Sequence, residues 1–426
     1  MVTFGIFAVM VALMLVGVPV AVAMGITAVG TFILLGEGSI LAMIAQRMYY
    51  ATTGFTLLAI PFFILAGNLM NTGGITNRIF RFANSLIGHV KGGLGHVNIL
   101  ASLIFSGMSG SAVADAAGLG LIEIKAMDDA GYDRKFSAAI TAASSTIGPV
   151  VPPSIPFVIY GSITNTSVGK LFLAGFIPGV LMAVSMMVAV SIIARIRNYP
   201  KGNRASLKEI WESFSGAVLP LLTPVIIIGG ILFGLFTPTE AAVVACVYAL
   251  FLGLVVYREI RVRDLPRILW ETALQTVRVL FIISAAGFFG WLLIHQRIPD
   301  AVIVGLTSFS ASPEVLLLLV MGILLVLGCF MEGIAVLVIT IPIFMPLITR
   351  YNIDPVQFGV VMILCSMIGL VTPPVGMSLY AVASISEVDI WTLSKELLPY
   401  IVGILIVTLI IAFFPELALF LPNLIS

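Results

Sequence analysis

Apolar residues in this chain run in long blocks broken by short polar stretches. The blocks lie near residues 3 to 35, 52 to 70, 94 to 120, 136 to 161, 171 to 194, 215 to 257, 275 to 296, 314 to 348, 356 to 383 and 398 to 422. About twenty consecutive apolar residues suffice for one helical crossing of a bilayer, so the pattern predicts a series of membrane helices. The block at 215 to 257 is too long for one crossing and predicts two helices, broken at "FTPTEAA" (236 to 242). Glycine and proline cluster where the blocks should be most regular. "GPVVPPSIP" occupies residues 148 to 156 and "GLVTPPVGM" residues 369 to 377, each inside an apolar block.

Composition supports the membrane reading. Of 426 residues, 60% are hydrophobic and 10% charged, where an aqueous domain carries about 25% charged residues. The formal net charge of +1 gives no basis for a nucleic-acid partner. Residues 1 to 35 lack a basic leader and continue into further apolar sequence, so they read as a membrane element and not as a removable signal. Cys246, Cys329 and Cys365 are scattered without metal-ligand spacing, and His89, His96 and His295 form no familiar metal or acid-base pattern, so an enzyme is not expected. A passive channel remains the alternative class to a transporter.

Charge predicts sidedness. The stretch "RIRNYPKGNRASLKEIWE" (195 to 212) and the loop "REIRVRDLPR" (258 to 267) are both rich in arginine and lysine. The positive-inside rule places both in the cytoplasm, with an even number of crossings between them. Residues 77 to 90 space Ile79, Phe82, Leu86 and Val90 as one stripe beside Arg78 and Arg81, predicting an amphipathic interfacial helix.

The two proline cassettes belong to a longer correspondence. Gly107 and Gly328, Asp133 and Asp354, Ser145 and Ser366, Ile147 and Ile368, Gly148 and Gly369, the proline pairs 152–153 and 373–374, and Pro178 and Pro399 are all displaced by 221 residues. One preserved displacement suggests an internal repeat. The basic 195 to 212 stretch answers to a C-terminal end whose charge is Glu416, an opposition expected of halves inserted in opposite orientations. The chain thus reads as an all-α polytopic membrane protein with inverted structural repeats: residues 1 to 200, a basic cytoplasmic linker at 201 to 214, and residues 215 to 426.

Proline supplies a chemical reason for the cassettes. In a helical run, Pro152 and Pro153 cannot donate to the carbonyls of Gly148 and Pro149, and Pro373 and Pro374 cannot donate to those of Gly369 and Leu370. A stranded carbonyl in hydrocarbon costs several kcal/mol, so these oxygens must face protein, water or an ion. A hard cation is one suitable partner; a plain kink buried against neighbouring helices is the other reading. Small residues around Ser106, Ser109 and Ser111 fit either close helix packing or one wall of a cation and substrate cavity. Asp115 and Glu332 lie in apolar surroundings and are candidates for the ion or substrate path, or for structural hydrogen bonds. Asn68, Ser144, Ser145, Thr146 and Ser154 are candidate donors along the path. Arg134 and Lys135 could attract an anion or snorkel to the interface, and Glu240 reads as a helix cap after Thr237.

The motifs "PFFILAGNLM" (61 to 70), "FSGMSGSAVADAAGLG" (105 to 120), "GPVVPPSIP", "GLFTPTEAA" (234 to 242) and "GLVTPPVG" (369 to 376), in this order, resemble the large membrane subunit of tripartite ATP-independent periplasmic (TRAP) transporters, over essentially the whole chain. The resemblance implies an elevator-type secondary transporter with two re-entrant helical hairpins, one per repeat, and at least two coupling sodium ions. It places one sodium site at Ser106, Ser109, Gly148, Val151 and Pro152, and the other at Gly328, Cys329, Gly369 and Thr372. It further implies a small TRAP membrane subunit, a periplasmic substrate-binding protein and an organic acid anion as substrate. The overall look favours sialic acid, with a C4-dicarboxylate or another organic acid as the alternative. The family location is the bacterial inner membrane.

Overall fold

In a computed structural model of the chain, the described residues are 2–110, 112–309 and 312–424, with side chains described at all of these but 2–4, 107–109, 113, 114 and 117. They form helices α1 (Val2–Leu15), α2 (Val20–Leu34), α3 (Ile44–Tyr50), α4 (Ala59–Thr72), α5 (Ile75–Ile87), α6 (Gly93–Ser109), α7 (Ala112–Asp129), α8 (Arg134–Ser145), α9 (Ile155–Thr164) and α10 (Val168–Ile196). The second half continues with α11 (Leu207–Leu232), α12 (Pro238–Phe251), α13 (Leu265–His295), α14 (Ile298–Phe309), α15 (Pro313–Phe330), α16 (Gly333–Arg350), α17 (Pro355–Leu370), α18 (Met377–Ser386), α19 (Ile390–Phe413) and α20 (Pro415–Leu424).

Among the described residues, eight helices are long and apolar enough to cross a membrane: α4 with the turn before it, α10, α11, α12 with its π-helical extension, α13, α15, α16 and α19. The breaks fall where the local chemistry requires them. The 215 to 257 block divides at Thr237, which caps α12 in a box with Glu240: the Thr237 amide donates to Glu240 Oε2 at 2.8 Å, and the Glu240 amide donates to Thr237 Oγ1 at 3.3 Å. Glu240 is therefore a cap, as its position predicts. Ser206 and Glu209 form the same box at the start of α11, so the second part of the 201 to 214 segment is already helical. The long blocks at 94 to 120 and 314 to 348 each divide into two helices, at Gly110 and at Met331–Glu332.

Polar contacts bring the three basic stretches to one face. Arg78 Nη1 lies 2.6 Å from Glu259 Oε1, with its guanidinium 3.8 Å from the centre of the Tyr257 ring. Lys91 Nζ donates to Asn198 Oδ1 at 2.9 Å, and the Gly92 amide donates to the Pro200 carbonyl at 3.2 Å. The α11–α12 pair thus returns the chain to the face it left, the even number of crossings that the charges demand. α5 buries Ile75, Thr76, Ile79 and Ala83, but Leu86 is exposed. The buried stripe therefore runs through Ala83 and not through Leu86, because α5 packs against α6 on one side and α11 on the other.

Helix boundaries in the two halves keep the displacement of 221 residues. α7 and α16 match at both ends, α8 and α17 begin 221 residues apart, and Asp133 and Asp354 cap them in the same way. Both proline pairs are joined by cis peptide bonds. Short α5 and α14 also hold corresponding places.

Candidate functional site

The site is assembled from the two interrupted helices and the two sharp turns that face them. α8 ends at Ser145, and the chain passes through the first cassette before Ser154 caps α9. α6 and α7 turn against this segment at Gly110, which has φ +60°. A β-carbon on Gly110 would stand 2.7 Å from the Pro153 carbonyl oxygen, so glycine alone lets the turn approach the cassette backbone. The α15–α16 turn holds the equivalent place beside the second cassette.

The first cassette is buried throughout. The Ile147 carbonyl accepts from the Val150 and Val151 amides, each at 3.0 Å, and the Ser145 carbonyl accepts from the Gly148 amide at 3.3 Å. The Ser154 hydroxyl donates to the Pro149 carbonyl. Among the described residues, nothing donates to the Gly148 carbonyl. Asp115, 2% exposed, lies directly against Gly148: a β-carbon there would fall 2.4 Å from Asp115 Oδ2. Asp115 thus sets a carboxyl oxygen against the Gly148 backbone, and carboxylate and main-chain oxygens are the ligands a small hard cation takes. Ser106 is fully buried, with its hydroxyl turned back to the Leu103 carbonyl at 2.6 Å. Val151 packs on Gly179 of α10. The side chains of Ser109 and Ser111 lie outside the described residues.

The second cassette is built on main chain against main chain. A β-carbon on Gly369 would lie 2.5 Å from both Cα and the carbonyl carbon of Gly328, so the two glycines touch directly. Gly328 and Gly369, which the family resemblance assigns to one group of residues, are thus in contact in space. Here the carbonyls are better supplied: that of Gly369 accepts from the Thr372 amide at 3.1 Å, and that of Cys329 from the Val375 amide at 3.0 Å. The Gly369 carbonyl thus loses its usual helical donor to Pro373 and faces a protein partner instead, because the chain tightens into a three-residue turn before the proline pair. The Thr372 hydroxyl donates to the Ile368 carbonyl at 2.6 Å and the Cys329 thiol to that of Leu325 at 3.2 Å.

Between the cassettes lies a cavity of about 370 Å³, within the range of small-molecule sites. One wall carries Gly110, Pro149, Glu332 and Leu370, from both turns and both cassettes. The opposite wall is α4, with Asn68 and Asn71, and α13, with Gln275 and Arg278. Asn68 lines the cavity, and its Nδ2 also donates to Thr272 Oγ1 across the helices at 2.9 Å. Glu332, at the N-cap of α16, faces the cavity. Arg278 lies near the middle of α13, and among the described residues its guanidinium has neither an ion pair nor a hydrogen bond. It was not among the residues singled out by sequence.

Several candidate donors lie elsewhere. Ser144 donates to Asn98 Oδ1 at 2.6 Å, and Asn98 donates to Thr141 Oγ1 at 2.7 Å, so Ser144 serves a buried network between α6 and α8. Ser145 and Thr146 bond back to the carbonyls of Ala142 and Ala143, and Ser154 caps α9. None of these four lines the cavity. Arg134 is tied to its neighbours: its Nε donates to the Ser386 carbonyl at 2.7 Å and lies 3.7 Å from Asp128. Lys135 lies between Asp133 and Glu396, at 3.4 and 3.8 Å.

The profile of the family described as "Tripartite ATP-independent periplasmic transporter, DctM component" matches residues 7–417. The chain is 48% identical over 412 residues to the sialic acid TRAP transporter large permease protein SiaM of Vibrio cholerae, covering 97% of this chain and 96% of that protein. It is 43% identical over 413 residues to the sialic acid TRAP transporter permease protein SiaT of Haemophilus influenzae, covering 97% and 67%. It is 39% identical over 400 residues to the C4-dicarboxylate TRAP transporter large permease protein DctM of Pseudomonas aeruginosa, covering 94% and 93%. The fold resembles that of the Alcanivorax borkumensis YdaH transporter, with a TM-score of 0.67 at 14% identity and 89% of each chain covered.

Proposed function

The chain belongs to the DctM family of tripartite ATP-independent periplasmic transporters, and from that premise we propose that it is the membrane subunit that carries an organic acid anion inward, coupled to sodium. The family and the apolar helices make it a multi-pass protein of the bacterial inner membrane and a transporter permease, not an enzyme. The substrate we assign is sialic acid, on the names of two relatives at 48% and 43% identity; a C4-dicarboxylate is the second reading, on a relative at 39%. A small membrane subunit and a periplasmic substrate-binding protein complete the system in this reading.

One observation carries the proposal: the cavity joins both turns and both cassettes to a wall that presents Arg278. A cation inside a membrane protein marks a substrate or ion path, and guanidinium suits a carboxylate. In the proposed cycle the first sodium ion binds between Asp115 and the Gly148 carbonyl. The second binds at the Gly328–Gly369 contact, where Cys329 and Thr372 add carbonyl and hydroxyl oxygens. Bound sodium offsets charge and fixes the broken helices, so the anion meets a completed wall. The two halves, related as inverted repeats, then exchange conformations by an elevator movement of the cassette elements past α4 and α13.

Energetics favour two or more sodium ions. Each positive charge moved down 100 mV yields about 2.3 kcal/mol. Two sodium ions with a monoanion carry net charge inward, so uptake of sialic acid should accelerate with an inside-negative potential. The test is reconstitution with the small subunit and candidate binding proteins in proteoliposomes, with imposed sodium gradients. Concentrative uptake that persists without sodium would overturn the coupling, and uptake of dicarboxylates alone would favour the second reading. Arg278→Gln should raise KM for the anion by about tenfold or more, the ~1.5 kcal/mol of a charged hydrogen bond, with sodium half-saturation unchanged. An unaltered KM would remove Arg278 from the substrate path.

A further inference from the structure

A second concave surface lies away from the central cavity, on the face of the basic loops. It is a groove of about 450 Å³ between the α5–α6 corner and α10. Its floor is apolar, formed by Ile87, Val90, Val184 and Val188, and at one end stand Lys91 and Arg195. Val184, Val188, Ser191 and Arg195 follow one another at spacings of four, three and four residues, so a single stripe of α10 runs from hydrocarbon surface to cation. Val184 and Val188 are 51% and 54% exposed. None of the lining residues is acidic. Beneath the cations, Ser191 Oγ and His96 Nε2 lie 3.3 Å apart, a further polar pair at the same level.

We propose that this groove binds an anionic phospholipid of the cytoplasmic leaflet, its phosphate between Lys91 and Arg195 and one acyl chain along Val184 and Val188. The chemistry is specific in two parts. Basic pockets between membrane helices on the cytoplasmic side attract phosphate head groups, and here the apolar stripe continues directly from the cations. A free anion would use only the upper half. The Lys91 ammonium donates to Asn198, a neutral amide that brings no opposing charge to the groove. Arg197, close in sequence, is committed elsewhere, 2.7 Å from Glu396. The lipid would tie α10 to the corner that also carries the Gly92–Pro200 and Lys91–Asn198 bonds, stiffening the junction between α5 and the basic segment. This inference rests on the membrane location alone and not on the substrate or on sodium coupling.

The experiment uses the full chain with its small subunit, purified from phosphatidylethanolamine membranes containing phosphatidylglycerol, with retained lipid quantified by mass spectrometry after a delipidating wash. Each cation removed should weaken retention of phosphatidylglycerol about fivefold, from ~1 kcal/mol per basic residue at 1.4 kcal/mol per tenfold. Lys91→Gln with Arg195→Gln should therefore weaken it about 30-fold. Val188→Trp fills the acyl slot at an exposed position and should abolish retention with both cations intact. Unchanged melting temperature in each variant separates these effects from misfolding. Retention unaffected by Val188→Trp, or displacement of the lipid by inorganic phosphate, would mean a surface ion site only and would overturn the proposal. So would lipid retained by the chain alone but expelled in the complex, which would assign the groove to the small subunit.

Discussion

The two proline cassettes repeat the same residues at one displacement, yet they are not the same site. Around the first, every residue from Val151 to Tyr160 is buried, and a carboxylate stands against Gly148. Around the second, Pro374 is exposed, the neighbouring group is the Gly328 backbone, and amides already supply the Gly369 and Cys329 carbonyls. One site is defined by a side-chain charge, the other by packing. The difference teaches that two segments matched at one displacement share a backbone path more faithfully than the atoms that path presents to its surroundings.

This contrast makes the two cassettes fail in different ways. The largest effect is expected at Gly369→Ala, where the new methyl meets the Gly328 backbone, which has no flexible side chain to move aside. Overpacking of this kind costs about 3 kcal/mol, so we expect a clear fall in melting temperature and loss of uptake. A variant with native stability and transport would mean that the glycine contact is dispensable.

Gly148→Ala should cost about 2 kcal/mol, because its methyl meets a side-chain oxygen that can move. Most of that cost should vanish on an Asp115→Ala background, leaving a coupling energy above ~1 kcal/mol in a double-mutant cycle. Additive effects would show that the carboxylate does not press on Gly148. Asp115→Asn, which keeps the shape and removes the charge, should raise the sodium half-saturation of uptake about tenfold, as loss of a charge-assisted contact worth ~1.5 kcal/mol implies. Sodium titrations of initial rate decide it.

The smallest change is expected at Thr372→Val, which removes a single hydroxyl bond to the Ile368 carbonyl and should cost about 1 kcal/mol or less. Sodium half-saturation should shift by less than it does in Asp115→Asn. A larger shift would mean that the hydroxyl, and not the main chain, holds the ion at the second cassette.

Much of this architecture was legible because it is written in residues with strong local rules. Proline pairs, glycine turns and the Thr237–Glu240 box mark their own breaks, and the displacement from Gly107 to Pro178 assigns partners to residues far apart in sequence. The nearness of Gly328 and Gly369 could be read from the family resemblance. Arg278 could not. Its counterpart at the same displacement is Leu57, so reasoning from the repeat passes over it, and in the sequence it is a single charge at the edge of an apolar block. The Ser144 hydroxyl failed for another reason: whether it meets the cavity or Asn98 depends on how α8 is rotated against α6, and serine obeys no rule strong enough to say.

α13 deserves a last consequence. Its 31 residues rise about 46 Å, more than the ~30 Å of hydrocarbon. Trp270 near one end is 67% exposed, while Trp291 near the other meets the Arg47 guanidinium at 4.8 Å. The 21-residue step from one indole to the other rises about 32 Å, close to the ~30 Å slab, and tryptophans favour its two interfaces. Arg278 is then anchored about 12 Å inward from Trp270, like a mark on a ruler. Thinning or thickening the lipid should shift that mark relative to the surfaces, making acyl-chain length, in the proposed cycle, a dial on how far the anion must travel to reach it.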